Sequence, residues 1–132
     1  MPIDIGKGSE LVKINQSIEV LNAYAKQFTT VIADNNVYTL DLSNGINFMI
    51  TVSDAEAKSI VFANVPTDSG ILLPVTVLLV YTSAATIIHP IGIVWQNGIA
   101  PTFTTGNKYT LMYSSWDNGT TWQGSAAGAW AV

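Results

Sequence analysis

The spacing of hydrophobic residues changes once along the chain, near residue 36. Over residues 9–28 they recur at intervals of three and four, which is the period of one face of an α-helix. Ser9 is a good N-cap, and Glu10 follows in the first turn, where the helix dipole favours an acidic side chain. The pattern predicts a helix within residues 9–33, preceded by an extended segment over residues 1–8. The hydrophobic stripe comprises Leu11, Ile14, Ile18, Leu21, Ala25 and Phe28.

This stripe occupies the a and d positions of a heptad pattern. Mixed Ile and Leu at these positions suits assemblies of more than two helices, so we expect a short trimeric coiled coil. The alternative is a helix that packs its stripe on the sheet of its own chain. Fewer than three heptads do not decide between the two interpretations.

From Val37 onward the hydrophobic residues alternate with polar ones, which is the period of a β-strand. Turn signals with Asn-Gly or Pro separate the segments at intervals of about 8–12 residues, as in a β-sandwich. We expect a mainly β fold, a single jelly-roll-like sandwich over residues 34–124, with residues 125–132 as a tail. The first two strands are expected to form a hairpin, and Gln96-Asn97-Gly98 signals another. The predicted strands are residues 37–42, 46–52, 59–63, 71–81, 86–88, 92–95, 102–104, 108–114 and 120–124.

Residues 115–122 read Ser-Trp-Asp-Asn-Gly-Thr-Thr-Trp, which predicts a further hairpin. Asn-Gly provides the positive φ values of a tight turn, and Asp117 can accept backbone N–H groups across it. The segment also matches the Asp-box pattern, which resembles a structural hairpin of sialidases that is remote from their active site. Sialidases bind the substrate carboxylate through arginines, and this chain has none, so we exclude a sialidase.

The chain has few charged residues. They make up 11% of the sequence, whereas a soluble surface usually carries about 25–35%. Such a chain is either membrane-bound or buries much of its surface against copies of itself. Residues 69–107 contain no charged residue, but Pro74, Pro90 and polar inserts divide them into strand-length pieces, so we expect no membrane span. The net charge is −4 and every basic residue is Lys, so we expect no nucleic-acid partner.

Residues that could support catalysis are sparse. The chain has no Cys and one histidine, His89, so no metal triad or nucleophile–histidine arrangement can be proposed. No two acids are expected to converge as a glycosidase requires. We predict no catalytic residue, no metal and no cofactor, and therefore a protein that is not an enzyme. Trp95, Trp116 and Trp122 could face a ligand such as a sugar, or could lie in the core or at an interface.

Two segments carry a family resemblance. Residues 38–52 contain Tyr-Thr-Leu-Asp-Leu-Ser-Asn-Gly followed by Phe-Met-Ile-Thr-Val. Residues 93–124 contain Val-Trp-Gln-Asn-Gly-Ile-Ala-Pro, then Lys-Tyr-Thr-Leu-Met-Tyr, then Asp-Asn-Gly-Thr-Thr-Trp-Gln-Gly. Together they resemble a β-domain of tailed-bacteriophage fibre proteins. The resemblance implies a virion protein, a homotrimeric fibre or decoration protein of the head-fibre type, with no catalytic residues.

In this interpretation residues 1–8 dock on a phage capsid or tail protein and residues 9–33 form the stalk. The alternative function is a receptor- or glycan-binding tail-fibre module that recognises a host surface glycan.

Overall fold

The computed structural model describes residues 28–67, 70 and 72–132 of the chain. The predicted docking segment, residues 1–8, and most of the predicted helix lie outside the described residues. Within the predicted helical range, residues 29–31 form a strand, so the helix prediction is wrong at its C-terminal end. Thr-Thr-Val is β-branched throughout, which favours a strand, and these residues pair with a neighbouring strand instead.

The described residues form a mainly β fold of nine strands in two sheets, as expected for a β-rich domain. The strands are β1 (Thr29–Val31), β2 (Val37–Asp41), β3 (Asn47–Val52), β4 (Lys58–Ala63), β5 (Leu73–Tyr81), β6 (Ile87–Ile88), β7 (Ile93–Trp95), β8 (Asn107–Ser115) and β9 (Trp122–Ala131).

Sheet A has the strand order β1-β3-β5-β8-β9-β7, and sheet B has the order β2-β4-β6. The first six strands alternate between the two sheets along the chain. Within each sheet, successive strands of these six pair in parallel, as in the register Thr29 to Phe48 to Val77. This part of the chain winds like a short parallel solenoid, in which successive coils stack on one another. The connectivity therefore differs from the antiparallel pairing of a jelly roll.

The hairpin predicted between residues 37–42 and 46–52 is wrong. β2 lies in sheet B and β3 in sheet A, and a 3₁₀ turn at Leu42–Asn44 carries the chain across. Asp41 caps this turn by accepting the Ser43 N–H at 3.0 Å. Both strands bury alternate residues in one core, β2 through Leu40 and β3 through Ile50. Alternation specifies which face of a strand is buried but not which strand lies beside it, so the pattern was compatible with both arrangements.

β5 continues the solenoid and also begins an antiparallel extension through β8 and β9. Pro74 lies beyond the end of β3, whose pairing with β5 starts at Thr76, so this proline does not interrupt that pairing. β7 pairs in parallel with β9, so Gln96-Asn97-Gly98 does not close a hairpin. Residues 102–104 are not a strand, and β9 continues to Ala131 through most of the predicted tail.

The core lies between the two sheets. Leu40 and Ile60 reach it from sheet B, and Phe48, Leu79 and Leu111 reach it from sheet A, all at most 1% exposed. No helix among the described residues has the length and apolar character that a membrane crossing requires. β9 pairs with both β8 and β7, which brings the end of β8, the start of β9 and β7 together, and this corner holds the tryptophans that the sequence singles out.

Candidate functional site

The hairpin between β8 and β9 is locked by one serine and one aspartate. The Ser115 hydroxyl is fully buried; it donates to Asp117 Oδ1 at 3.0 Å and accepts the Gly119 N–H at 2.8 Å. Asp117 Oδ1 also accepts the Thr121 N–H at 2.8 Å. The hairpin prediction is confirmed, including the aspartate that accepts a backbone N–H across the turn.

Asn118 and Gly119 provide the backbone conformation of this turn, with φ values of 59° and 82°. Asn tolerates the left-handed region and Gly enters it without penalty. A Cβ at Gly119 would also lie 2.5 Å from Val65 Cγ1, so glycine is required there by space as well as by conformation. The turn is therefore rigid and packs against the segment that follows β4.

The electrostatics of the turn are those of a structural carboxylate. The Thr121 backbone N–H, helped by the Ser115 hydroxyl, holds the pKa of the Asp117 carboxyl below its ordinary value. Asp117 is therefore ionised at neutral pH and accepts hydrogen bonds within its own loop. A general acid needs a raised pKa, so the shift is opposite to the one that acid catalysis requires.

Trp122 is 1% exposed, so it does not face a ligand. Its ring stacks on Phe62 of β4, with centroids 4.2 Å apart and planes at 26°, and Phe62 also meets Tyr113 edge-on at 5.6 Å. Because Phe62 belongs to sheet B and Trp122 to sheet A, this stack joins the two sheets at the base of the hairpin. Trp122 is a core residue, which was the alternative interpretation of its sequence position.

Trp95 is half-buried and lies flat against the backbone of β9. A Cβ at Gly124 would come within 2.7 Å of Trp95 Cζ3, so the indole can pack against the β9 backbone because residue 124 has no side chain. The Trp95 ring also meets the His89 ring, at a centroid distance of 4.6 Å and 72° between planes. Burial lowers the pKa of the His89 imidazole, so the ring is neutral at neutral pH. Trp95 presents only part of its indole to solvent.

Trp116 is 64% exposed at the tip of the hairpin and is the most exposed of the three tryptophans proposed to face a ligand. Its neighbour Asp117 anchors the backbone, so the indole is presented on a rigid turn. An exposed, preorganised aromatic ring can stack on an apolar sugar face or pack at an interface.

Asp54 and Asp41 have structural partners. Asp54 lies 2.5 Å from the Nζ of Lys58, which is 2% exposed and also donates to Asn36 Oδ1 at 2.7 Å. Asp41 accepts from Ser43 and from Asn64. Among the described residues, no group of three or more His, Asp or Glu side chains is placed to hold a metal ion.

An uncharged surface lies beside Trp95, along the β7–β9 edge of sheet A. An open groove of about 580 Å³ is lined there by Val94, Met112 and Ser125, among others. A second groove shares Ser125 and extends to Ile99. Val94 is 58% exposed and Ile99 is 74% exposed. We call the surface formed by Val94, Ile99, Met112 and Ser125 the β7–β9 edge surface.

Sequence patterns did not single out this surface. The alternation of residues places Val94 and Met112 on the outer face of their own strands. It does not show that these strands lie close enough together to form one surface. The lack of charge over residues 69–107 was the one available signal, and it pointed to buried surface without locating it.

No family model matches the sequence, and no curated protein and no solved structure matches the chain. The resemblance to phage fibre β-domains therefore stays a prediction from the sequence. The function has to be argued from the residues of this chain.

Proposed function

We propose that the chain is a bacteriophage virion structural protein, a short homotrimeric fibre or decoration protein of the head-fibre type. Residues 1–8 dock on a capsid or tail protein of the particle. The stripe from Leu11 to Ala25 forms a three-helix stalk that ends before β1, and the β-domain projects from it. The protein acts by assembling and carries out no reaction.

The observation that carries this proposal is the apolar, uncharged part of the exterior that residues 72–107 contribute to the β-domain. Ile91, Ile99 and Val94 are 97%, 74% and 58% exposed, within a stretch that has no charged residue from Ser69 to Asn107. Monomeric soluble proteins rarely leave contiguous apolar patches in water, and such patches usually mark interaction sites. Assembly around a common axis would cover this exterior.

The architecture supports the same proposal. The parallel coils stack on one another, end in an antiparallel hairpin and share one hydrophobic core between the two sheets. The Ser115–Asp117 lock and the Phe62–Trp122 stack hold the hairpin end rigid. Each described carboxylate with a lowered pKa owes that shift first to a hydrogen bond within the fold, as a structural role requires.

Intact particles test the proposal. An antibody against the β-domain should label gradient-purified, nuclease-treated phage particles from a lysate of the cells that produce the chain. Gold particles should lie at defined sites on the head or tail. The matched control is the same antibody blocked with excess purified β-domain. A virion role would be contradicted if the protein stayed at the top of the gradient, separate from the particles, and the antibody left the particles unlabelled.

A receptor- or glycan-binding module is the second candidate, and the exposure of Trp116 favours it. Trp116→Ala should then weaken adsorption to host cells or to surface polysaccharide without changing the melting temperature. Ile32→Ala, at a side chain that is 84% exposed elsewhere on the domain, is the matched control. Equal adsorption by the wild type and both variants would remove this candidate.

The direction of β1 bears on this choice. β1 is parallel to β5 through β3, and the first residues of β5 pair with Ser114 and Ser115 at the end of β8. The backbone therefore enters sheet A from the end at which the hairpin lies. With the proposed stalk on that side, Trp116 would face the stalk and the particle, which favours the structural role over host recognition.

A further inference from the structure

We propose that the β7–β9 edge surface is the contact through which the β-domain of one copy packs against the β-domain of a second copy. The inference rests on the proposed trimer and deepens it, because it assigns a second contact in addition to the N-terminal stalk. Two independent features support it: an unpaired strand edge and an apolar surface without charge.

The unpaired edge belongs to β9. β7 pairs only with Trp122–Gly124, while β9 continues to Ala131. No backbone of another described residue pairs with the outer side of β9 beyond Gly124. Proteins usually protect such edges with lysine, proline or a bulge. β9 contains neither lysine nor proline, and the register shift opposite Lys108 and Thr110 lies beyond Ala127, so Ser125–Ala127 keep a regular edge.

The side chains along this edge offer a close approach. Beyond Trp122, β9 reads Gln-Gly-Ser-Ala-Ala-Gly-Ala-Trp-Ala, and every residue from Ala126 to Ala131 is exposed. Small side chains on both faces allow another backbone to come within hydrogen-bonding distance. Val94 and Ile99 line grooves beside this edge, and Met112 lies on β8, across β9 from it; all three expose apolar atoms, which a packed neighbour would remove from water.

The charge pattern indicates a second copy as the occupant. Residues 70–107 and 118–132 contain no charged side chain, so this surface can meet the same surface of a second copy without electrostatic repulsion. The proposed stalk would hold the β-domains of three copies next to one another, so a second copy would be at hand. β1, where the described chain enters sheet A, lies on the far side of β3, β5 and β8 from β9, about 19 Å away at the usual strand spacing.

Cysteine crosslinking tests the assignment cleanly because the chain has no native cysteine. Ser125→Cys and Val94→Cys each place one thiol on the surface, and Thr39→Cys places one on the exposed side of β2 in sheet B as the matched control. The full-length variants are treated with a short bis-maleimide and run on a denaturing gel, and light scattering gives the mass of each untreated variant.

We expect covalent dimers with Ser125→Cys and Val94→Cys and at least tenfold less with Thr39→Cys. Two results would overturn the proposal while leaving the trimer intact: no crosslink at either surface position in a trimeric protein, or equal crosslinking at all three positions. A monomeric mass refutes the trimer itself and the contact with it. The Ser125→Cys variant could also be monomeric with a thiol that does not react with a monofunctional maleimide. That result would show that other residues of the same chain cover the surface, and it would overturn the proposal.

Discussion

Removing the indole of Trp122 tests the most specific structural claim, that this ring joins the two sheets. Trp122→Ala deletes a side chain that is 1% exposed and stacks on Phe62 at 4.2 Å. The substitution leaves a cavity between sheet A and sheet B, and Phe62 loses the partner that holds its own ring beneath Tyr113.

The magnitude follows from the burial and the ring geometry. A buried Trp→Ala change costs about 3–5 kcal/mol, and the lost aromatic stacking of about 0.5–1.5 kcal/mol beyond area burial places Trp122→Ala at the upper end of that range. Trp116→Ala in the same hairpin removes a ring that is 64% exposed, and surface changes of this kind stay within about 0.5 kcal/mol. The two tryptophans thus form a matched pair of equal chemistry and opposite burial.

The assay is urea unfolding followed by circular dichroism, with both variants and the wild type at one protein concentration, because association shifts the apparent stability. We expect Trp122→Ala to lower the free energy of unfolding by about 4 kcal/mol and Trp116→Ala to leave it nearly unchanged. Equal losses in the two variants, or a larger loss for Trp116→Ala, would refute the placement of Trp122 in the inter-sheet core.

Three further predictions concern the loops. Because the pKa of Asp117 is lowered in the folded protein, its ionised form stabilises the fold above the ordinary carboxyl pKa, and this contribution is lost as the pH falls through the folded-state pKa. Asp117→Ala should therefore unfold at a lower urea concentration than the wild type at pH 7, and the difference between the two proteins should narrow below about pH 4. Gly98→Ala should cost about 1–2 kcal/mol from its positive φ alone, and Gly119→Ala should cost about 1–3 kcal/mol more because its Cβ has no room; equal losses would contradict the packing of the turn. Asp54→Ala leaves the buried Lys58 ammonium without its carboxylate, so it should destabilise the protein more than Lys58→Met does in thermal melts, and the reverse order would show that the pair is dispensable.

The sequence predicted the strands well because alternation and turn residues are local signals. Eight of the nine strands begin within two residues of their predicted positions, and the Asp117 hairpin has the expected hydrogen bonds. The ninth, β1, fell inside the predicted helix, because a three-residue strand carries too little periodicity to compete with the stripe before it.

Strand pairing could not be predicted because it depends on contacts far apart in the sequence. Ser43-Asn44-Gly45 is a turn in both the predicted hairpin and the observed crossing between sheets. β3 and β5 pair in parallel, but a whole coil that includes β4 of sheet B separates them in the sequence. No repeated motif marks the successive coils. We predicted an antiparallel sandwich because it is the commoner fold for strands of this spacing. The observed solenoid winding depends on strand pairing between distant parts of the sequence.

Only the local features of the candidate site could be predicted from the sequence. Asp117 was predicted to accept a backbone N–H across the turn because such a bond is local, whereas the two hydrogen bonds of the Ser115 hydroxyl were not predicted. Burial of Trp122 and seating of Trp95 on Gly124 depend on β4 and β9, which no short motif encodes. Residues 125–131 of β9 were predicted as a tail because Ala, Gly and Ser have low strand propensity, and pairing with β8 holds them extended.

The molar mass of the full-length protein in solution tests the central claim most directly. Light scattering across a hundredfold dilution should give about three times the 14.1 kDa of one chain at every concentration, and Leu21→Asp should lose that mass while Asn22→Asp, which adds the same charge on the neighbouring position, should keep it. A stable mass of 14.1 kDa for the wild type would contradict the proposed trimeric virion protein.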